Sequence, residues 1–247
     1  MGLLVLAVSM GCTGTQTQSQ GPKTYTVGID GEYPPYSYVD PTGNVTGFDV
    51  DSMRWIAEKK GIKVQFQPTA WDGIIPSLEA GKIDLIYSGM TITESRKEKV
   101  NFSIPYWKVN QSVAIHNDTN FTMDDFLAGR LTVGAQRGTT GAFWVDEHLI
   151  NGTGMPAENL KLYDSFPLVA TDLQNKRIDS AIYDTPPLLD AIADKPLMKI
   201  GDIDTGEDYG VAVRKSDTEL LALINDGLTK LMNDPYWETL KQKYDMK

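Results

Sequence analysis

Two short stretches, far apart in the chain, carry groups suited to opposite charges. Ser88-Gly89-Met90-Thr91-Ile92-Thr93-Glu94-Ser95-Arg96 follows the apolar run Ile83-Asp84-Leu85-Ile86-Tyr87 and opens a helix predicted to run on through Lys97 to Val100. Thr91 to Glu94 has the spacing of a capping box, and Thr93 is a second candidate N-cap. A strand that ends in small polar residues and turns into a helix N-terminus presents free N–H groups to an anion. Arg96 falls near the first helical turn, where its planar fork can grip a carboxylate through two bonds. Oxygen acceptors for an ammonium stand beside it: the Ser88 and Thr91 side chains and the Ser88 and Gly89 carbonyls. A carboxylate clamp next to an ammonium cup describes an α-amino acid. A capped helix with a solvated arginine would read the same way in isolation.

The second stretch tips the balance. Leu78-Glu79-Ala80-Gly81-Lys82-Ile83-Asp84-Leu85-Ile86-Tyr87-Ser88-Gly89 is echoed by Leu173-Gln174-Asn175-Lys176-Arg177-Ile178-Asp179-Ser180-Ala181-Ile182-Tyr183-Asp184. Each is a helix end, a basic turn, an Ile-Asp step and an apolar strand, and Gly89 aligns with Asp184. Two similar α/β units thus end equivalent strands, one in hydroxyls and carbonyls, the other in a carboxylate. Ligands of open α/β sheets sit beyond the carboxyl ends of the strands, so two such ends facing each other make a cleft.

The elements that must hold these groups follow from periodicity. Tyr25 to Asp30 alternates as a strand and enters the turn Asp30-Gly31-Glu32-Tyr33-Pro34-Pro35-Tyr36. Phe48 to Lys60 reads as a helix stopped by Gly61, Lys63 to Gln67 as a strand, and Asp72 as the cap of a helix that turns Ile74, Ile75 and Leu78 inward. With Ile83 to Tyr87 this is a β-α-β-α-β lobe. Val109 to His116 leads out of it. Strand, helix, strand, helix and strand then recur at Leu131–Ala135, Gly141–Ile150, Leu160–Tyr163, Pro167–Asn175 and Ile178–Tyr183, with a helix over Pro186–Ala193. Asp202 to Asp208 is acidic and glycine-containing, Tyr209 to Arg214 reads as a strand, and Asp217–Met232 and Pro235–Tyr244 as closing helices.

At 247 residues the chain has room for one large domain or two modest ones. Its formal charge of −10 excludes nucleic acid as the expected partner, because phosphate binding needs a basic surface. Gly2 to Met10 is short and apolar, Gly11-Cys12 follows, and a Thr, Gly, Gln and Ser tether reaches Gly21. This resembles a lipoprotein signal cut before Cys12, although a basic n-region is missing. Leu6 breaks the N-myristoylation pattern. Cys12 is the only cysteine, so no internal disulfide forms, and a lipid anchor at Cys12 is expected.

Asp30-x-x-Tyr33-Pro-Pro-Tyr36, Gly47-Phe48-Asp49-Val50-Asp51, Trp71-Asp72-x-Ile-Ile-Pro76, Asp84 and Met90-Thr-Ile-Thr-Glu-x-Arg96 occur in that order, followed by Val133-Gly-Ala-Gln136-Arg137-Gly138-Thr139-Thr140 and Ile178-Asp179-x-Ala181-x-x-Asp184. From about Tyr25 to Tyr244 the chain thereby resembles the solute-binding proteins of polar amino acid ABC transporters. The resemblance implies a two-lobed α/β fold of the type II periplasmic-binding-protein kind, hinged on two crossover strands, Val109 to Val113 and Glu207 to Val211. It divides the chain into a leader (1–11), a tether (12–23), the first part of lobe 1 (24–109), lobe 2 (110–206) and a return to lobe 1 (207–247). It also implies roles. Arg96, with N–H groups near Thr91 and Thr140, would hold the ligand carboxylate, Gly138-Thr139-Thr140 opening the second helix. Asp184, the Ser88 or Gly89 carbonyl and the Thr91 hydroxyl would hold the ammonium, with Met90 in the same loop. Tyr33 and Trp71 would sandwich the ligand side chain, and Asp30 and Gln136 would reach its far end. Those acids favour a polar or cationic side chain, whereas Arg137, if it pointed inward, would favour Glu or Asp.

The implied protein is a monomer without metal or cofactor that binds a free amino acid and delivers it to a permease. Two rival classes are a prephenate- or arogenate-type cyclohexadienyl dehydratase on the same fold, using Asp184 or Asp30 as general acid, and a ligand-sensing domain. His116 and His148 are widely spaced and form no catalytic or metal-ligand cluster with other residues.

Overall fold

The structure, a computed structural model, describes Gly2 and residues 22–246; Cys12 and nearly all of the expected leader and tether lie outside the described residues. β1 (Thr24–Ile29) leads into three short strands, β2 (Glu32–Tyr33), β3 (Ser37–Val39) and β4 (Val45–Thr46), which form an antiparallel sheet of their own. Gly47 then starts α1 (Phe48–Lys60): its φ is 132°, and a Cβ there would stand 2.2 Å from the Tyr36 carbonyl oxygen, so only glycine fits. α1 buries Phe48, Val50, Met53, Ile56 and Ala57, and it stops at the left-handed Gly61. β5 (Lys63–Pro68), α2 (Ile74–Glu79), β6 (Leu85–Ile86), α3 (Glu94–Lys97) and β7 (Val100–Phe102) complete the first run.

β8 (Trp107–His116) leaves this unit and a second one follows: α4 (Met123–Leu127), β9 (Val133–Gln136), α5 (Thr140–Val145), α6 (Asn151–Thr153), β10 (Leu160–Tyr163), α7 (Phe166–Gln174), β11 (Ser180–Asp184) and α8 (Thr185–Ile192). β12 (Leu197–Tyr209) returns to the first unit, where β13 (Ala212–Arg214), α9 (Thr218–Met232) and α10 (Pro235–Lys243) end the chain. α9 and α10 pack on α1.

Two five-stranded sheets result, ordered β5-β1-β6-β13-β7 and β10-β9-β11-β8-β12. In each, the first strand pairs in parallel with the second and third, and the fourth place goes to a strand running antiparallel to the third. Each sheet carries helices, giving the two-lobed type II architecture. The repeat extends to side chains: Asp84 accepts the Thr26 N–H at 2.8 Å in the first lobe, and Asp179 accepts the Thr132 N–H at 2.8 Å in the second. The Ile-Asp step thus ties the third strand of each sheet to the chain at the start of the first.

Several local expectations need correction. Thr93, not Thr91, caps α3, accepting the Arg96 N–H at 3.2 Å, while Thr91 bridges to Tyr209 instead. The box spacing was present, but strand pairing claimed Thr91 and shortened the helix, so Val100 is a strand residue. Asp72 caps nothing, because residues 71–73 form a 3₁₀ turn and Gly73 precedes α2 with no side-chain cap bond. The crossover expected over Glu207–Val211 is the end of a longer strand, since β12 takes in the acidic stretch 202–208 and pairs antiparallel with β8 from Leu197↔His116 to Tyr209↔Trp107. Residues 204–206 drop out of the register between Ile203 and Glu207 as a bulge, with Gly206 at φ 57°. The glycine of the acidic stretch marks this bulge.

Candidate functional site

The carboxyl ends of β1, β6, β9 and β11 converge between the lobes on a small cavity. The strand ends that sequence repetition paired now face each other. Asp30 follows β1 and Gln136 ends β9, and the Gln136 amide donates to Asp30 Oδ2 at 2.9 Å across the gap. Asp30 is buried, and desolvation raises its pKa against the lowering effect of Gln136. Gln136 sits behind the cavity wall rather than on it, engaged by Asp30 and, at 2.5 Å, by the Tyr183 hydroxyl.

Arg96 lies on the opposite side of the cavity. Thr93 caps its short helix, and the guanidinium stands over the Trp71 ring, 5.6 Å from the centroid. It is only 7% exposed. Its donors reach the Thr91 carbonyl at 2.9 Å and, across the gap, the Gly138 carbonyl at 3.1 Å. The Trp71 indole N–H donates to that same Gly138 carbonyl at 3.2 Å. Among the described residues no carboxylate lies within 4 Å of Arg96, whereas the half-buried Arg214 pairs with Asp84 and Asp217. Desolvation by burial pulls the Arg96 pKa down, opposed by the nearby charges of Glu207 and Asp184. Burying a cation with only neutral carbonyls for partners is costly unless an anion joins it.

Asp184 supplies the counterpart. It stands at the N-cap position of α8 but makes no side-chain cap bond, so helix capping does not explain it. Instead its carboxyl accepts from the Tyr33 hydroxyl of the first lobe and from the Gln111 amide of β8. Burial, and then the adjacent Glu207 charge, raise its pKa to about 7. Tyr33 stacks on Tyr36 and meets Tyr183 edge-on, and its hydroxyl lies 2.6 Å from that of Tyr209.

Ser88, Gly89, Thr91, Thr139 and Thr140 also line the cavity with Tyr33 and Trp71. Their hydroxyls are already placed. Ser88 Oγ accepts the Asp30 N–H at 2.9 Å, and Thr139 caps α5 by accepting the Ala142 N–H. The Thr91 and Thr140 hydroxyls, one from each lobe, converge on Glu207 Oε2 at 2.6 and 2.7 Å. The remaining named residues sit differently. The Met90 side chain packs with Ile74, Leu78 and Ile83 in the lobe core, so its presence in the polar loop is structural. Gly138 contributes its carbonyl. Arg137 points to the rim, half-exposed between Asp72 at 3.9 Å and Asp164 at 3.8 Å, and does not enter the cavity.

Four residues escaped sequence reasoning: Gln111, Tyr183, Glu207 and Tyr209. Glu207 and Tyr209 are two apart on β12 and so share a face; the crossover expected over Glu207–Val211 covers both, but which of its faces meets the cleft is not readable from the strand alone. Gln111 is fully buried on β8 and donates to both Asp184 and Glu207, the latter at 2.9 Å. No group of side chains that could hold a metal ion occurs among the described residues, nor any helix long and apolar enough to cross a membrane.

A buried guanidinium and a buried carboxyl therefore line one cavity, with further acids around them. Comparison with known proteins places this arrangement in context. The family model for bacterial extracellular solute-binding proteins, family 3, matches residues 25–247. The protein named "Probable histidine-binding protein" of Neisseria gonorrhoeae is 32% identical over 226 residues, covering 90% of this chain and 83% of its own length. ABC transporter arginine-binding protein 1 of Escherichia coli is 29% identical over 224 residues, covering 88% of each chain. Among solved structures, an ancestral arginine-binding protein bound to arginine superposes with a TM-score of 0.83 at 33% identity, over 91% of this chain and 99% of that one.

Proposed function

We propose, from the premise that this chain belongs to the bacterial extracellular solute-binding proteins of family 3, that it binds a free amino acid with a polar or cationic side chain between its lobes and hands it to an ABC transporter. The carrying observation is Arg96, a buried guanidinium with no carboxylate partner, in the same cavity as the buried carboxyl of Asp184. The α-carboxylate goes to Arg96 and the α-ammonium to Asp184, with the Ser88–Gly89 turn beside it. The names of the similar proteins, histidine- and arginine-binding, support the class. Charge favours its cationic members: Asp30, Asp184 and Glu207 face a single guanidinium, so a zwitterion alone leaves acid unmatched. Because the two receptors belong to different lobes, ligand stabilises the closed form selectively, and a permease can read that form.

Melting shifts across the twenty common amino acids test the reading. A ligand at a hundredfold excess over its Kd adds roughly 2.7 kcal/mol of stability. Arginine, lysine, histidine or glutamine should give the largest shifts; a flat response to all twenty would end the proposal.

The raised pKa of Asp184 sets a pH dependence. In the ligand-free cleft the group stays protonated up to about pH 7, well above its usual range. An ammonium pairs with the ionised form, so binding below that pH expels the proton. Affinity should therefore rise with pH up to about 7 and level off above it. Calorimetry at pH 6 in buffers of different ionisation enthalpy should count close to one proton released per ligand; no release would separate Asp184 from the ammonium. The same protonated carboxyl favours a second reading, a dehydratase in which Asp184 is the general acid. Turnover of prephenate or arogenate would establish it, and saturable binding without turnover favours the carrier.

Outside the cytoplasm such a carrier needs retention near its permease, and we assign that role to a lipid on Cys12 with the polar tether as spacer. Cys12→Ala should move the expressed protein from the membrane to the soluble fraction. An unchanged distribution would remove the anchor from the account.

A further inference from the structure

One buried acid of the Gly47-Phe48-Asp49-Val50-Asp51 motif has no part in the binding scheme so far. Asp51 is accounted for: it ties α1 to α10 by accepting from Lys243 and Tyr244, both at 2.6 Å. Asp49 is fully buried in the first turn of α1, with no basic partner among the described residues. Its Oδ2 accepts the Gly89 N–H at 2.7 Å and the Tyr106 hydroxyl at 2.8 Å, and its Oδ1 has no hydrogen-bond partner among the described residues. A carboxyl in a helix's first turn gains from the helix dipole, but by less than the cost of burying it, and an apolar side chain would fill the space without that cost. Burial pushes this carboxyl up to about 8, so near neutral pH it serves as a neutral acceptor.

What it accepts from is the cavity wall itself. Gly89 lines the cavity at φ 55°, and a Cβ there would meet the Tyr33 ring at 2.5 Å and the Tyr209 ring at 3.0 Å. The turn must pass between two aromatic rings without a side chain of its own, so nothing on Gly89 except its backbone can be gripped. The Asp49 carboxyl grips it from behind, and Tyr106, whose oxygen is 3.2 Å from the same N–H, braces the pair.

We propose that Asp49 is a positioning residue for the ammonium cup: by taking the Gly89 N–H and the Tyr106 hydroxyl on the side away from the cavity, it fixes the Ser88–Gly89 turn against which the ligand's amino group is placed. The inference rests on the amino-acid-binding reading above. Three variants test it. Asp49→Asn keeps an oxygen acceptor of the same shape, Asp49→Leu fills the volume without one, and Asp49→Ser is too short to reach and covers the case in which leucine prevents folding. Affinity is measured by calorimetry with the amino acid that gives the largest melting shift in the wild type, and exchange of the Gly89 amide by NMR on glycine-labelled protein. Asn should bind within about threefold of wild type with a protected Gly89 amide. Leu and Ser, whichever folds, should bind at least about tenfold more weakly, with that amide exchanging faster. Wild-type affinity in a folded Leu or Ser variant, or an Asn variant as weak as they are, overturns the inference. A wild type that binds no amino acid fails the underlying reading instead, and the amide exchange still reports whether Asp49 holds the turn.

Discussion

Arg96→Ala should abolish amino acid binding in a chain that still folds. The guanidinium makes two hydrogen bonds to carbonyls and lies over Trp71, and none of these contacts holds a core element in place. A carboxylate taking two charge-assisted bonds gains roughly 1.5–3 kcal/mol from each. Their loss weakens binding by roughly 10²- to 10⁴-fold. Circular dichroism checks the fold and calorimetry the affinity. Arg96→Lys should recover only part of the loss, since an ammonium is a point charge and lacks the planar fork. Affinity retained in the alanine variant would put the ligand carboxylate elsewhere.

Asp184→Asn should separate two kinds of ligand. It keeps the shape that Tyr33 and Gln111 contact and removes the charge. Truncating one partner of a buried, hydrogen-bonded charge pair costs roughly 2–5 kcal/mol, so amino acids should lose about two or more orders of magnitude. The matching α-hydroxy acids, which bring no ammonium, should lose far less. Competition experiments with such a pair decide the matter, and equal losses would show that Asp184 does not meet the amino group. The pH profile of the variant should also flatten below pH 7, because the proton that ligand displaces is gone.

How far these groups were legible in the sequence depended on what each one needed. Gly89 and Asp184 were aligned by an internal repeat, and the repeat survives in detail because Asp84 and Asp179 make the same bond to the same place in each lobe. Asp30 and Gln136 could be named because both end a strand whose pattern is unambiguous. Thr91 and Thr93 could not be separated, since cap spacing is local and the pairing of Thr91 with Tyr209 joins residues more than a hundred positions apart. Met90 was placed in the loop correctly, but which way its side chain points is decided by packing on Ile74 and Leu78. Gln111 and Glu207 were out of reach for a different reason. They sit on long crossing strands, and which face of such a strand meets the cleft is set by register and by the bulge at 204–206. Asp49 was visible as part of a motif, yet its partner Gly89 is forty residues on.

The contact between the Tyr33 hydroxyl and Asp184 has a thermodynamic consequence. The phenol belongs to one lobe and the carboxyl to the other, so the bond itself spans the cleft, and an ammonium arriving at Asp184 must share or take over a lone pair that the phenol also uses. Part of what the ligand gains there is offset by what the phenol gives up, and Tyr209, 2.6 Å from the Tyr33 oxygen, offers that hydroxyl another partner. Tight individual contacts and a reversible carrier are compatible for that reason.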